Sequence, residues 1–107
     1  MTTNINEFSI VIPAKNEAEN LKKLLPELIK LHPQAEILVV NDGSSDSTAE
    51  VCESHHVKVL SHSYSKGNGA AIKTGARNAS QKVVVFMDAD GQHRPKDIQR
   101  LLERLHQ

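Results

Sequence analysis

Short apolar runs and longer amphipathic segments alternate along the chain. The runs at residues 8–12, 37–40, 57–60 and 83–87 are rich in Val, Ile and Leu and are bounded by turn residues, which is typical of buried strands. Between the runs, apolar residues recur at helical spacing, most clearly in one leucine stripe: Leu21, Leu24, Leu25, Leu28 and Leu31. The pattern predicts four strands separated by helices.

Local signals mark where these elements begin and end. Pro13 is expected to end the first strand, and Asn16 is expected to cap the first helix with Glu19 as its capping-box partner. Pro26 lies within that helix and is expected to bend or break it. Further helices are expected through residues 51–52, over residues 69–79, and after Pro95.

Strands that alternate with helices form successive βαβ units. We therefore predict an α/β fold, a Rossmann-like three-layer sandwich with a mostly parallel four-stranded sheet and helices on both faces. The length of 107 residues fits one small domain spanning residues 1–107, and we find no internal repeat or linker.

Composition and charge narrow the classes of partner. The chain has 13 Lys and Arg residues and 13 Asp and Glu residues, so it lacks the basic excess that would indicate a nucleic-acid partner. Two Phe and one Tyr are too few for a base-stacking platform. The single cysteine, Cys52, fits a reducing compartment and is read as a core residue. With no apolar run of membrane-spanning length and no signal peptide, a cytoplasmic location is expected.

Polar clusters follow three of the predicted strands. They lie at residues 13–17, 41–46 and 88–93. In an open α/β sheet, ligands bind outside the carboxyl ends of the strands. Because all three clusters are expected at that edge, the sequence predicts a ligand site there.

Asp88 and Asp90 carry the most specific chemistry of these clusters. They follow a buried strand and are one residue apart, so their like charges are expected to share one crevice. A divalent cation with oxygen ligands relieves such repulsion and commonly bridges to a phosphate. The alternative is a solvated turn that caps the next helix.

Asp42 and Glu17 are candidates for contacts with a nucleoside. Asp42 lies between a buried strand and a Gly turn, where its carboxylate is placed to accept N–H groups of uracil or guanine. Glu17 and Asn16 open the first helix and suit ribose hydroxyls or a base, with simple capping as the alternative. Ser44, Ser45 and Asp46 are better explained as a turn and helix start.

Lys66, Gly67 and Arg77 are candidates for contacts with phosphate. Gly67 lets the backbone approach a ligand, and Lys66 is placed to reach a diphosphate. Arg77 is expected to pair with the Asp88 region or with phosphate, or to be a solvated residue at a helix end. The Gly67-Asn68-Gly69 segment follows the third strand, which argues against a dinucleotide fingerprint. Among the histidines, His62 has no obvious partner in the sequence.

Four segments together resemble a known family. Residues 10–17, 39–46, 66–78 and 87–93 are similar, in order and spacing, to the nucleotide-binding half of family-2 inverting glycosyltransferases with the GT-A fold. The resemblance is closest to the polyprenyl-phosphate hexosyltransferases, and it covers the chain from about Phe8 to Leu102.

The resemblance implies a site for a UDP- or GDP-sugar. Pro13, Glu17 and Asp42 would contact the nucleoside, and Asp88, Asp90 and Gln92 would hold Mg²⁺ or Mn²⁺ at the diphosphate. The whole nucleotide-sugar site is expected to comprise Pro13, Ala14, Asn16, Glu17, Asp42, Lys66, Gly67, Arg77, Asp88 and Ala89. Family members often have an aromatic residue where this chain has Ala14, which weakens the expected stacking on the base.

The resemblance also implies a reaction and its limits. A hexose would pass with inversion to an acceptor, with polyprenyl phosphate as the expected one. Family members are about twice as long, so the acceptor half and the catalytic base are expected to be missing, and the chain alone is expected to bind nucleotide without useful transfer. The apolar fourth strand lacks a later partner, which predicts a homodimer through that edge.

Two alternatives remain open. The first is a non-catalytic binding or assembly module that kept the fold. The second is an unrelated nucleotide-binding α/β domain of the nucleotidyltransferase or receiver kind.

Overall fold

The structure, a computed structural model, describes residues 7–90, and these alternate between strands and helices as the pattern predicts. In chain order, the elements are β1 (Phe8–Ala14), α1 (Ala18–Leu31), β2 (Glu36–Asp42), α2 (Thr48–Ser54), β3 (Lys58–His62), α3 (Asn68–Asn78) and β4 (Val83–Phe86). The helix expected after Pro95 and the candidate ligand Gln92 lie outside the described residues.

All four strands are parallel and form one sheet in the order β3-β2-β1-β4. The α/β prediction is therefore confirmed. In the centre of the sheet, Ile10 pairs with Ile37 and Ile12 with Val39. Parallel pairing brings the carboxyl ends of the strands to one edge, which is the edge that the polar clusters follow.

The two faces of the sheet are covered by different helices. Alternate side chains of β1 point to opposite faces, so Ile10 and Ile12 pack into one apolar cluster with four leucines of α1, whereas the predicted stripe residue Leu31 is exposed. Val11 packs into a second cluster, which includes Ala71 of α3. These two clusters make the sheet the middle of three layers.

α3 lies very close to the sheet at Gly75. A Cβ atom at this position would be 2.2 Å from Cγ1 of Val11, which is buried at the centre of the sheet. We therefore expect Gly75→Ala to lower the free energy of unfolding by about 1–3 kcal/mol, because the overpacking outweighs the better helix propensity of Ala. Urea denaturation measures this effect.

Gly69→Ala is the matched control for this substitution. Gly69 lies in the same helix, and an added Cβ there would meet no atom within 4 Å. This variant is expected to be at least as stable as the parent chain. Equal stability of the Gly75 and Gly69 variants would contradict the close packing of α3 on β1.

The first helix begins differently from the prediction. α1 starts at Ala18, and Asn16 has a φ of 55°, so Asn16 does not cap it. The Asn16 side chain instead accepts backbone N–H groups of Ser45 and Asp46 at 2.8 and 3.3 Å. The expected capping box is therefore wrong, because a neighbouring loop competes for the Asn16 side chain.

Asp46, in the loop after β2, and Thr48, the first residue of α2, bond to the start of α1 in place of Asn16. Asp46 Oδ2 accepts the N–H of Ala18 at 3.1 Å, and Thr48 Oγ1 accepts the N–H of Glu17 at 3.1 Å. Asp46 also accepts the N–H of Thr48, the first residue of α2, at 2.9 Å, although the N-cap position of that helix is Ser47 and not Ser45 or Asp46. Hydrogen bonds from Thr48 lower the pKa of Asp46. Hydrogen bonds between the segments after β1 and β2 thus stabilise both segments.

The two prolines interrupt less than expected. α1 continues through the exposed Pro26 to Leu31, so the helix is not broken there. β1 continues through Pro13 to Ala14. Val11 accepts the N–H of Met87, so the backbone of Val11 faces β4, and the backbone of Pro13, two residues later, faces the same side. Pairing with β4 ends at Val11, and therefore the missing N–H of Pro13 costs the sheet no hydrogen bond.

β4 is an edge strand within residues 7–90, since it pairs with β1 alone. Phe86, in this strand, is 45% exposed.

None of the helices in residues 7–90 combines the length and the apolar character that a membrane span requires.

Candidate functional site

A cavity of about 300 Å³ opens at the carboxyl ends of β1, β2 and β4. The residues that line it come from the ends of β1 and β2, from the segments that follow β1, β3 and β4, and from the start of α3. They are Pro13, Ala14, Lys15, Glu17, Asp42, Ser65, Gly67, Asn68, Ala71, Asp88, Ala89 and Asp90. The three polar clusters therefore meet at one cavity, as their positions in the sequence indicate.

The lining includes most of the predicted site residues and leaves out three of them. Asn16, Lys66 and Arg77 are absent from the lining within residues 7–90. Arg77 is exposed in the last turn of α3, as expected of a solvated residue. Ser65, Asn68 and Ala71 were not among the predicted site residues, and Lys15 was predicted only as a member of the polar cluster at residues 13–17.

Asp42 is the most constrained polar residue of the cavity. It is 5% exposed, and its two carboxylate oxygens accept four hydrogen bonds. Oδ1 accepts from His62 Nδ1 and from the backbone N–H of Lys66, both at 2.8 Å. Oδ2 accepts from the Ser65 hydroxyl and from the backbone N–H of Gly67, both at 3.0 Å.

These contacts keep Asp42 ionised. Burial by itself raises the pKa of a carboxyl, but the hydrogen bonds from His62, Lys66, Gly67 and Ser65 outweigh it, so the pKa of Asp42 is lowered to about 2. A carboxylate has about four acceptor positions, and here all four are occupied. A ligand at Asp42 therefore meets a carboxylate whose orientation is already fixed by the protein.

His62 was not identified from the sequence, because it was expected in a loop. β3 continues for two residues beyond the predicted end, so His62 ends the strand at the edge that carries the cavity. Its Nδ1 lies 2.8 Å from Asp42 Oδ1, and its Nε2 lies 2.9 Å from Thr74 Oγ1 on α3. The statement that His62 has no obvious partner is therefore wrong.

Residues 63–67, called loop 63–67 below, fold back over the turn after β2. Gly43 has a φ of 69°, and a Cβ there would lie 2.5 Å from the backbone nitrogen of Ser65. A glycine is therefore needed both for its conformation and for the approach of the loop. Lys66 Nζ lies 5.3 Å from the centre of the Tyr64 ring, a cation–π distance.

Asp88 and Asp90 follow β4 and lie on the cavity wall with Ala89. The backbone bond from Met87 N–H to Val11 oxygen, 3.0 Å, extends the pairing with β1 up to the residue before Asp88. Among residues 7–90, no group of three or more His, Cys, Asp or Glu side chains is arranged to hold a metal ion. The prediction that Asp88 and Asp90 hold a divalent metal ion stays a prediction.

Glu17 lines the cavity from the start of α1. Its Oε2 accepts Asn20 Nδ2 at 2.6 Å, one turn along the helix. Glu17 is half-buried, and this hydrogen bond engages Oε2, one of the two oxygens of its carboxylate. The prediction that Glu17 contacts a nucleoside stays a prediction.

Comparison with known proteins assigns the family. A dolichol-phosphate mannosyltransferase from Pyrococcus furiosus is 38% identical over 105 residues, which are 92% of this chain and 30% of that protein. The fold matches glucosyl-3-phosphoglycerate synthase from Mycobacterium tuberculosis, solved with Mn²⁺ and UDP, with a TM-score of 0.82 at 24% identity over 94% of this chain and 39% of that one.

A second solved structure gives the same fold. It is a mannosyltransferase from Pyrobaculum calidifontis in complex with GDP-Man and Mn²⁺, with a TM-score of 0.72 at 24% identity over 78% of this chain and 27% of that one. This chain thus spans less than half the length of each of these proteins. Residues 9–107 match the family model described as glycosyl transferase family 2. The chain belongs to glycosyl transferase family 2, and its α/β sheet matches the GT-A fold of these two solved glycosyltransferases.

Proposed function

We propose that the cavity binds the diphosphate and nucleoside of a UDP- or GDP-sugar together with a divalent metal ion. One observation carries this proposal: a single cavity of about 300 Å³ joins the acidic pair, Asp88 and Asp90, to the ends of β1 and β2. The acidic pair suits a metal-bound diphosphate, and Pro13, Glu17 and Asp42 are the proposed nucleoside side.

The residues present fit a hard divalent cation. Mg²⁺ is usually held by one or two carboxylates, with water and phosphate oxygens completing the shell, and Mn²⁺ accepts the same oxygen ligands. Asp88 and Asp90 supply those two carboxylates on one wall. Gln92, outside the described residues, remains the proposed third ligand. When bound, the metal supplies Lewis-acid stabilisation of charge on the departing diphosphate.

The reaction proposed for the whole protein is transfer of a hexose with inversion, with polyprenyl phosphate as the acceptor. The support is the family and the 38% identity to a dolichol-phosphate mannosyltransferase. A lipid-linked acceptor would bring the protein to a membrane surface. Because the chain matches 30% of that relative, we propose that residues 1–107 are a donor half-domain that binds nucleotide without efficient transfer.

Calorimetric titration tests the binding proposal. UDP and GDP are titrated separately into the chain with Mn²⁺ present, and the titrations are repeated with EDTA. We expect saturable heat for one of the two nucleotides and its loss in EDTA. UMP or GMP, which lack the second phosphate, should bind more weakly. Absence of heat with both diphosphates would contradict the proposal.

A sugar-transfer assay, and not the titration, bears on the alternative of a non-catalytic module. Metal-dependent nucleotide binding without sugar transfer in an assay with a polyprenyl phosphate would fit both the half-domain and the module. Efficient transfer by these 107 residues would exclude both and would show that the acceptor site lies within them.

The edge strand β4 is the proposed contact with a second copy of the chain. Its outer side has no strand partner within residues 7–90, and Phe86 is largely exposed. A free apolar edge favours pairing with another chain. We expect a dimer in light scattering at high protein concentration, and a monomer across the concentration range would contradict this expectation.

A further inference from the structure

His62 lies behind the cavity and is almost fully enclosed. Its side chain is 9% exposed, and the cavity lining does not include it. The ring joins two elements: Nδ1 contacts Asp42 at the end of β2, and Nε2 contacts Thr74 on α3. An imidazole with both nitrogens engaged has a fixed ring orientation.

Chemistry assigns the proton on the His62–Asp42 bond. An ionised carboxylate only accepts hydrogen bonds, so Nδ1 of His62 carries the hydrogen and donates it. Nε2 then accepts the Thr74 hydroxyl when the ring is neutral and donates to it when the ring is charged. In both states the ring is anchored on α3 and holds one oxygen of Asp42.

Asp42 passes this constraint on to loop 63–67. Oδ1, the oxygen that His62 holds, also accepts the N–H of Lys66, while Oδ2 accepts the N–H of Gly67 and the Ser65 hydroxyl. Rotation of the carboxylate would break all of these bonds together. Ser65 and Gly67 are the residues of the loop that line the cavity.

We propose that His62 is a positioning residue of the nucleotide site, which fixes the Asp42 carboxylate and, through it, the cavity wall at Ser65 and Gly67. This inference rests on the proposed function and extends it to a side chain that does not touch the cavity. It predicts that nucleotide affinity depends on the Nδ1 donor of His62 in particular.

Two substitutions separate the two nitrogens of the ring. In His62→Asn, the side-chain amide lies near the position of Nδ1, so the donor to Asp42 is kept. In His62→Gln, the amide lies near the position of Nε2, so only the contact with Thr74 is kept. Both remove the ring, and therefore packing losses are shared. His62→Ala removes both contacts.

Affinity for the Mn²⁺ complex of UDP or GDP, whichever the parent chain binds, is the first measurement. We expect it to fall about tenfold in His62→Gln and His62→Ala, which corresponds to the loss of one hydrogen bond to a charged group. His62→Asn should restore it to within about threefold. His55→Gln is the control, since His55 contacts the backbone of Val51 at the end of α2.

The backbone amide resonances of Lys66 and Gly67, recorded without nucleotide, are the second measurement. They should shift and exchange faster with solvent in the Gln and Ala variants, and stay near their parent positions in the Asn variant. All comparisons are made at a temperature at which circular dichroism shows each variant to be folded. If the Ala variant does not fold, the Asn and Gln pair decides.

The two measurements distinguish failure of this inference from failure of the proposed function. Parent-like amides and affinity in His62→Gln would overturn the inference, as would an Asn variant no better than Gln, because packing of the ring would then be its only role. A parent chain that binds neither nucleotide would overturn the proposed function, and the amide resonances would still decide whether His62 positions the loop.

Discussion

Asp42→Asn is expected to destabilise the protein by about 3 kcal/mol or more, although the side chain keeps its size. The carboxylate accepts four hydrogen bonds in a buried position, whereas an amide has one oxygen and presents N–H groups to the remaining donors. Buried donors that lose their acceptor cost about 1–3 kcal/mol each. Urea denaturation at neutral pH measures the loss.

Acid titration separates the charge of Asp42 from its packing. The pKa of Asp42 is about 2 in the folded chain against 3.8 for an ordinary Asp, so its ionisation stabilises the fold above pH 3.8 and this stabilisation is lost as the pH falls towards 2. The stability difference between the parent chain and Asp42→Asn should therefore shrink by about 2 kcal/mol between pH 5 and pH 2.

Glu19→Gln is the control for both arms of this experiment. Glu19 is an exposed carboxylate on α1 that contacts Lys22 at 3.1 Å. Its neutralisation should change stability by well under 1 kcal/mol. A parent-like stability of Asp42→Asn, or a difference that does not vary with pH, would show that the carboxylate is not the anchor of loop 63–67.

Hydrophobic pattern was sufficient for the centre of the fold because β1 and β2, the two inner strands, are buried along most of their length. The run 37–40 and the core of β2 coincide, since Ile37, Leu38, Val39 and Val40 are all buried. The ends of the elements were less predictable. β3 extends to the polar Ser61 and His62 because it pairs with β2 there, and pairing is a tertiary property.

Helix starts show the same limit from another side. Asn16 and Glu19 have the spacing of a capping box, which is a local rule. In the folded chain, the competing partners of Asn16 are Ser45 and Asp46, 29 and 30 residues away. No local rule includes such partners, so the signal was present while its outcome depended on the loop after β2.

The candidate site was predictable to the extent that it depends on strand ends. Asp42, Asp88 and Asp90 each follow an apolar run, and parallel pairing alone brings such residues to one edge. The place of Ser65 depends on how loop 63–67 folds over Gly43, where a Cβ would lie 2.5 Å from the Ser65 nitrogen, and the place of His62 depends on the pairing of β3 with β2. Neither the spacing nor the types of the residues predict this close contact between loop 63–67 and Gly43.

Asp90→Asn is expected to have the largest effect on ligand binding. The substitution keeps the size of the side chain and removes one of the two negative charges on the acidic wall of the cavity. If that wall holds the metal of a nucleoside diphosphate, affinity for UDP or GDP with Mn²⁺ should fall at least about tenfold. Asp88→Asn should give a loss of similar size, since both carboxylates serve one cation.

Comparison with and without metal makes this result specific. In EDTA, where binding is weak for every variant, Asp90→Asn and the parent chain should be alike. Because Asp90 is exposed, the thermal unfolding of the Asp90→Asn variant should differ little from that of the parent chain. A loss of affinity would then not reflect loss of fold. Glu19→Gln, which removes a charge on α1 away from the cavity, should bind like the parent chain. If the nucleotide affinity of both aspartate variants still depends on Mn²⁺ as in the parent chain, the cation binds elsewhere. The acidic wall of this cavity would then not be the diphosphate site.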